Sequence, residues 1–365
     1  MITYCTNIHP AESWEETFTA VRRFAPEIKS QLAPDRPFPL GLRLSGRAAG
    51  ELTPTAAENF HAWCRDQDLY VATLNGFPFG SFHRQSVKKS VYLPDWRFAE
   101  RLDYTRRLAD LLALWLPEGM TGSISTVPVG FLVDIGGDDL AGVENNIRAA
   151  LDHLHLLARK TGREILLSME PEPGCVLETS SDVVDLFALL DLTAEQRRHL
   201  AVCYDCCHQA LQYESPLDSL YHLVSNGVRI GHVQVSSALR LQHPDIGRLA
   251  RFQEPCYLHQ TVGRRPGGEL LRFADLDQAI AAHPPDIEEW RVHFHVPVYM
   301  EAAKDCGSTG FFLEEILPLF PPHIELEVET YTWEVLPDDL RHGSVTDSIV
   351  REIAWVADKA NRRLT

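Results

Sequence analysis

The amino-acid sequence predicts a (β/α)8 barrel that forms one domain over residues 1–365, and three observations support this prediction. A unit made of a short β-branched strand, a polar turn and an amphipathic helix recurs about eight times, as in such barrels. Strands that alternate with helices form parallel sheets with right-handed crossovers. No Gly-x-Gly-x-x-Gly motif opens a helix after a strand, as a doubly wound nucleotide-binding sheet would require.

Each predicted strand is a short apolar run that is bounded by turn residues. Parallel strands need long connections between them, and helical sequence patterns fill those connections. In chain order the strands are Ile2–Thr6, Leu40–Ser45, Leu69–Leu74, Gly122–Val127, Ile165–Glu170, Leu200–Asp205, Ile230–Val235 and Ile324–Glu329.

The predicted helices place apolar residues at every third or fourth position. The first helix follows Ser13, a good N-cap residue, and has Glu15 and Glu16 in its first turn, where the helix dipole favours acids. Gly162 and Gly227 lie just past two helices, where a left-handed residue is common. The helices are Trp14–Leu32, Thr55–Gln67, Asp95–Leu116, Leu140–Thr161, Ser181–Leu190, Leu217–Ser225, Ser308–Leu319 and Val345–Asn361.

The connection between strands seven and eight is too long for a single helix. About 85 residues separate Val235 from Ile324, far more than βα connections usually contain. We interpret residues 236–299 as an insertion with a hairpin, a helix and a ninth strand, and the sequence leaves open whether that strand joins the barrel wall. The inserted elements are Tyr257–Thr261, Glu269–Phe273, Asp275–Ala282 and Arg291–Val296.

Composition limits the partners and the compartment. The chain has 34 Lys and Arg against 51 Asp and Glu, a net charge of −17, which repels nucleic acid and anionic lipid surfaces. The first residues do not resemble a signal peptide, and no apolar run reaches the roughly 18 residues that span a bilayer. Eight Cys without a second pair to match Cys203-x-x-Cys206 indicate reduced thiols rather than a zinc site. A cytoplasmic protein is therefore expected.

Polar side chains occur where nearly every predicted strand ends, which is where barrels carry their chemistry. Charges inside a barrel are costly unless they are paired or bind a ligand. Acids beside His and Gln supply the hard oxygen and imidazole donors that divalent metals require. These residues are Asn7, Arg43, Asn75, Glu170, Glu172, Asp205, His208, His232, Gln234, His293, His295, Glu327 and Glu329.

The residues alone leave two choices of ligand open. Glu170 is favoured on strand five because Pro171 ends the strand there, and Glu172 is the alternative. On strand seven, His232 and Gln234 share one face: imidazole is the better ligand, but Gln234 lies nearer the end of the strand.

The order Glu170-Pro171, Asp205-x-x-His208, Gly231-His-x-Gln234 and a last-strand Glu resembles the xylose-isomerase-like TIM-barrel superfamily. Its hydroxypyruvate-isomerase branch holds a divalent metal with Glu, Asp, Gln and Glu. The resemblance therefore implies metal ligands at Glu170, Asp205, Gln234 and Glu329, with Mn²⁺, Mg²⁺, Co²⁺ or Zn²⁺ as the cofactor.

A closer resemblance, to the EboE family of bacterial ebo operons, covers nearly the whole chain. Proteins of this family are named for a presumed part in metabolite traffic. The resemblance implies as partners a small polar metabolite, further copies of the chain or other products of the operon. The shared motifs are Tyr4–His9, Gly41–Ser45, Thr73–Pro78, Gly122–Thr126, Glu170–Pro173, Val202–Asp205, His293–Pro297 and Leu326–Trp333.

The superfamily resemblance also implies a reaction, in which a small sugar, polyol or hydroxy-carbonyl compound is isomerised or epimerised through an enediolate. Glu170 and Glu329 would be the catalytic bases. The implied substrate contacts are His208, Arg43, Asn75 and His295. Alternatives are an endonuclease-IV-type phosphoester hydrolase, which the net charge disfavours, a metabolite carrier without catalysis, and a purely structural or assembly protein.

Overall fold

The computed structural model describes residues 1–300 and 306–363. Eight parallel strands form a barrel in the order β1-β13-β7-β6-β5-β4-β3-β2, and a parallel bridge between Cys5 and Gly41 links the first strand to the second. The barrel strands are β1 (Ile2–Tyr4), β2 (Phe38–Arg43), β3 (Leu69–Asn75), β4 (Thr121–Thr126), β5 (Glu164–Met169), β6 (Leu200–Asp205), β7 (Ile230–Val235) and β13 (Leu326–Val328).

All eight predicted barrel strands are present. The last is short: Leu326–Val328 pairs as a strand, and backbone hydrogen bonds of Glu325 and Glu329 to β7 continue it by one residue at either end. Its neighbours in the barrel are β1 and β7, both parallel. The prediction of a (β/α)8 barrel is therefore confirmed.

Most of the helices cover the outside of the barrel, and the one at residues 276–282 lies in the insertion. They are α1 (Trp14–Leu32), α2 (Gly46–Glu51), α3 (Pro54–Asp66), α4 (Ala99–Trp115), α5 (Leu140–Thr161), α6 (Ser180–Leu189), α7 (Ala194–Arg197), α8 (Cys206–Leu211), α9 (Pro216–Ser225), α10 (Leu276–Ala282), α11 (Gly310–Ile316) and α12 (Val345–Lys359). Ser13 and Glu16 cap α1 reciprocally, and Gly162 ends α5 at φ +73°. None of the described helices is long and apolar enough to cross a membrane.

The insertion builds a second sheet instead of widening the barrel. Five antiparallel strands lie in the order β10-β9-β11-β8-β12. The predicted ninth strand is β11 (Glu289–His295), which pairs with β8 (Ala238–Leu241) and β9 (Thr261–Arg264) rather than with the barrel wall. β10 (Leu270–Phe273) completes the predicted hairpin, and β12 (Gly307–Ser308) adds an edge strand. Residues 257–260 form no strand, so the first arm of the hairpin begins later than predicted.

The inside of the barrel is polar at mid-height. Glu327 is fully buried there and accepts a hydrogen bond from Thr73. Across the barrel, Ser123 lies 2.7 Å from both Ser168 Oγ and His232 Nδ1. A Cβ atom at Gly41 would overlap the Glu327 carboxylate, so the close approach of that acid requires glycine.

Candidate metal centre

Three acids meet at the carboxyl ends of β5, β6 and β13. One carboxylate oxygen from each of Glu170, Asp205 and Glu329 lies within 4.8 Å of the other two. All three side chains are buried, with 0–4% of each residue exposed. Parallel strands bring their carboxyl ends to one edge, which explains why residues far apart in sequence converge here.

Buried polar atoms usually have hydrogen-bond partners, but several in this cluster have none. Among the described residues, Glu170 Oε2, Asp205 Oδ2 and both amide atoms of Gln234 lack a partner. Gln234 pairs in register with Asp205 across β6 and β7. Unpartnered oxygens from adjacent strands suit a divalent cation, so the four predicted ligands fit the metal that the fold resemblance implies.

The remaining oxygens of the cluster are fixed by neighbouring donors. Glu329 Oε1 accepts hydrogen bonds from Asn7 Nδ2 at 2.7 Å and Asn75 Nδ2 at 3.0 Å. Asp205 Oδ1 accepts from the His208 backbone N–H at 2.8 Å and from Ser236 Oγ at 2.9 Å. These bonds orient both carboxylates, and Asp205 Oδ2 is left without a partner among the described residues.

Burial makes the acids of the centre poor anions in the absence of a cation. Desolvation raises the pKa of Glu170 well above its ordinary value, and the nearby charges of Glu329 and Asp205 raise it further. Burial and Asp205 likewise raise the pKa of Glu329. A divalent cation would reverse both effects, because it stabilises the ionised form of every acid around it.

Three imidazoles meet beside the acids. Nε2 of His293 lies 3.1 Å from Nε2 of His208 and 3.2 Å from Nε2 of His295. The Tyr331 hydroxyl lies 3.3 Å from Nε2 of His293. His208 comes from α8, a short helix that directly follows β6, while the other two come from β11 of the insertion.

Hydrogen bonds at Nδ1 fix the tautomer of each imidazole. Nδ1 of His208 donates to the Pro171 carbonyl at 2.8 Å, and Nδ1 of His295 donates to the Glu329 carbonyl at 2.9 Å. Nδ1 of His293 donates to Gln260 Oε1 at 2.7 Å. Burial lowers the pKa of His208 to about 3 and that of His295 to about 4, so both are neutral. Three Nε2 lone pairs therefore face one another, an arrangement that suits a shared cation.

Glu172 belongs to the imidazole side of the centre. It forms a potential ligand group with His208 and His293. Its Oε1 accepts hydrogen bonds from the Tyr92 hydroxyl at 2.8 Å and from Gln260 Nε2 at 3.2 Å, and burial raises its pKa to about 8. The sequence offers Glu170 and Glu172 as alternatives, and both lie at the site. Glu170 belongs to the group of three acids, and Glu172 to a group with His208 and His293.

A cavity of about 50 Å³ adjoins the centre. Residues of the β3–α4 connection and residues 257–258 of the insertion line it together and form its roof. The two segments are joined by a hydrogen bond of 2.8 Å from the Val87 N–H to the Cys256 carbonyl, and by an ion pair of 2.6 Å between Lys88 and Asp275. The insertion therefore forms part of the wall of this cavity.

The structure brings most of the predicted site residues together. Asn75, His208 and His295 line the cavity with Glu170 and Glu329. Asp205 and Gln234 are buried residues at the ends of neighbouring strands. Asp205 belongs both to the group of three acids and to a group with His208 and His295.

Two candidates lie apart from this group. Arg43 is outside the cavity lining, where its guanidinium pairs with Glu12 at 3.0 Å and donates to the Gly80 carbonyl at 2.6 Å. His232 is engaged by Ser123 and, at 3.3 Å, by Cys203 Sγ, which favours Gln234 as the ligand from β7.

Sequence reasoning missed the residues that orient the imidazoles. Gln260 contacts both Glu172 and His293, Tyr92 contacts Glu172, and Tyr331 contacts His293. Of the three, only Tyr331 follows a barrel strand, so the strand-end rule could not identify the other two. The imidazoles themselves could be identified from the sequence, because alternation along a strand places His293 and His295 on one face.

Comparison of the sequence with protein-family models finds no match, and comparison with curated proteins finds none. Solved structures do match the fold. A xylose isomerase-like TIM-barrel protein from Mycobacterium smegmatis, crystallised with magnesium, matches with a TM-score of 0.56 and 11% identity over 100% of this chain and 97% of its own. The fold is that of the xylose-isomerase-like TIM barrels.

Two structures named after sugar epimerases also match this fold. An L-ribulose 3-epimerase has a TM-score of 0.52 and 11% identity over 99% of this chain and 94% of its own. A D-tagatose 3-epimerase-like protein has a TM-score of 0.53 and 10% identity over 99% and 98%. Sequence identities this low show a shared fold only. The resemblance to the EboE family stays a prediction.

Proposed function

We propose that this protein is a metal-dependent isomerase or epimerase that acts on a small sugar, polyol or hydroxy-carbonyl compound. The observation that carries the proposal is the buried group of Glu170, Asp205 and Glu329 at the barrel end, in which Glu170 Oε2 and Asp205 Oδ2 have no hydrogen-bond partner among the described residues. Two of these acids stand three strands apart in the sheet order and face the cavity from different sides. The epimerases among the structural matches support the same reaction class.

The lining of the cavity favours a neutral, hydroxyl-rich substrate. Acids, imidazoles and the amides of Asn7 and Asn75 offer hydrogen bonds, while Phe77 and Tyr331 offer aromatic faces. Among the described lining residues, Lys88 is the one Lys or Arg, and Asp275 already neutralises it. A phosphorylated substrate would meet several acids and no free cation of the protein.

The chain's own residues can move a proton between adjacent carbons of such a substrate. The bound metal would polarise the substrate's carbonyl and hydroxyl oxygens and so acidify the neighbouring C–H bond. Glu170 and Glu329 would remove and return that proton on the two sides of an enediolate. When the only ion is the one among the acids, neutral His208 and His295 would accept hydrogen bonds from substrate hydroxyls at Nε2. Asn75 would hold Glu329 in place, and residues 257–258 of the insertion would shield the site from water.

The test is solvent deuterium exchange. Protein loaded in turn with Mn²⁺, Mg²⁺, Co²⁺ and Zn²⁺ is incubated in D₂O with a panel of ketoses, aldoses and hydroxy-ketones, and label beside the carbonyl is measured. We expect exchange that Glu170→Gln and Glu329→Gln each reduce at least about 100-fold. Glu288→Gln, at an exposed position, serves as the control. Binding of panel members without exchange would instead support the carrier alternative, in line with the EboE resemblance.

The three imidazoles favour one second candidate, hydrolysis of a phosphoester. Imidazole-rich centres suit Zn²⁺, which can supply a hydroxide nucleophile near neutral pH. Hydrolysis of bis(p-nitrophenyl) phosphate by the Zn²⁺-loaded protein, lost in His293→Ala, would favour this candidate. Absence of hydrolysis together with deuterium exchange would exclude it.

A further inference from the structure

A second, larger cavity lies at the opposite end of the barrel from the metal centre. It has a volume of about 870 Å³ and is lined by residues that precede or begin β4, β7 and β13. Most of its wall is apolar and includes Ala72, Met120, Leu166, Leu220, Ile230 and Phe320. Small-molecule sites typically have volumes of about 300–1,000 Å³ and mostly apolar walls with few polar groups.

One acid lines this cavity without a hydrogen bond. Glu325 is 6% exposed, and neither of its carboxylate oxygens has a hydrogen-bond partner among the described residues. The nearest cation is the Met1 amino group at 3.9 Å, beyond hydrogen-bond distance. Arg362, which is also near, donates to the carbonyls of Ile324 and Phe320 instead.

Three other polar side chains of the cavity are engaged elsewhere, while Thr121, Tyr221 and His323 are exposed. Arg229 pairs with Glu164 at 3.0 Å, and Thr73 donates to Glu327. Ser123 contacts Ser168 and His232 inside the barrel. Glu325 is therefore a buried polar side chain of this cavity whose missing hydrogen bonds a ligand could supply.

The rim of the cavity extends the apolar surface outward. Leu217, Tyr221 and Val224 lie on one face of α9 and are 57%, 75% and 56% exposed. They line the same cavity as Glu325. A ligand held at the acid could therefore lay an apolar chain along this helix.

We propose that this cavity is a binding site for an organic ammonium ion with an apolar body, held by an ion pair to Glu325. A buried carboxylate without donors is unfavourable, and an ammonium group supplies both the opposite charge and the hydrogen bonds. Burial raises the pKa of Glu325 to about 7, and a bound cation would bring it back down. The Glu325 carboxylate would repel an anion of the same shape, which would therefore not bind. The site is separate from the metal centre and does not depend on the reaction proposed there.

The experiment measures binding of n-octylamine, n-octanoate and n-octanol to the full chain by calorimetry. We expect octylamine to bind at least about tenfold more tightly than octanol and octanoate not to bind, because only the amine pairs with the acid. Glu325→Gln should weaken octylamine binding at least tenfold, and the exposed Glu288→Gln should leave it unchanged.

Two further variants locate the site. Leu220→Trp, which fills the cavity, should weaken all apolar probes, whereas Glu329→Gln, at the other end of the barrel, should leave octylamine binding intact. Equal binding of octylamine and octanoate, or unchanged octylamine affinity in Glu325→Gln, would overturn the proposal. Since no readout involves turnover, failure here says nothing about the isomerase proposal.

Discussion

Nε2 of His208 lies 3.1 Å from Nε2 of His293, although each ring carries its proton on Nδ1. The two lone pairs repel one another unless a cation lies between them. We therefore expect a second metal equivalent per chain when Zn²⁺ or Co²⁺ is supplied, in addition to the ion among the acids. Elemental analysis should give two equivalents for the parent protein and one for His293→Ala. Two equivalents in that variant would contradict the assignment.

Retention of the first ion should depend on the acids of the centre. Glu170→Gln and Glu329→Gln each replace a charged oxygen ligand with a neutral amide, so the affinity for Mn²⁺ should fall at least about tenfold. Titration against a fluorescent chelator measures this directly. Glu325→Gln is the matched control, a buried acid four positions before Glu329 in sequence, and should retain the ion like the parent.

The buried acid at the other end of the barrel should make stability depend on pH. The pKa of Glu325 is raised from 4.5 to about 7, so the folded state binds this proton more tightly than the unfolded state. Stability conferred by the protonated acid is therefore lost as pH rises from the unfolded pKa through the folded one. The free energy of unfolding of Glu325→Gln minus that of the parent should therefore be about 2 kcal/mol larger at pH 8 than at pH 5. Urea unfolding at both pH values measures the difference, and an equal gain at the two would rule out this titration.

The roof over the metal centre should limit exchange with solvent. Lys88 links the β3–α4 connection to Asp275 of the insertion, and its removal should loosen the roof without touching the ligands. Lys88→Met should speed removal of the metal by EDTA several-fold, with equilibrium affinity unchanged within about twofold. Arg265→Met breaks an exposed ion pair with Glu269 in the same insertion and should leave the rate unaltered.

The contact between Gly41 and Glu327 should tolerate no added methyl group. Gly41→Ala should destabilise the protein by about 1–3 kcal/mol, since the Glu327 carboxylate is held by Thr73 and cannot move away freely. Shortening the acid in Gly41→Ala/Glu327→Asp should recover part of that loss in thermal unfolding. Gly50→Ala meets no atom within 4 Å and is expected to be neutral or stabilising, so an equal effect at both positions would refute the contact.

The spacing of apolar residues was sufficient to predict the barrel, because each of its strands and helices is marked by a local sequence pattern. The same barrel rule brought Glu170, Asp205 and Glu329 to one edge, since parallel strands end together. Local patterns could not assign β11 to a second sheet. Its partner β8 has four residues, and β12, on the far side of β8, has two, too few for alternation to show. Arg43 could not be placed either, because its direction depends on Glu12, which lies in a loop.

The polar interior of the barrel has a consequence for how the chain folds. Ser123, Ser168, His232 and Glu327 fill the space inside the strands, so closing the ring removes little apolar surface from water. The apolar residues lie instead between strands and helices, as with Leu40, Ile124 and Leu167. The ring is therefore held closed mainly by the helices packed on its outer face, and little of that stabilisation comes from apolar burial inside the strands.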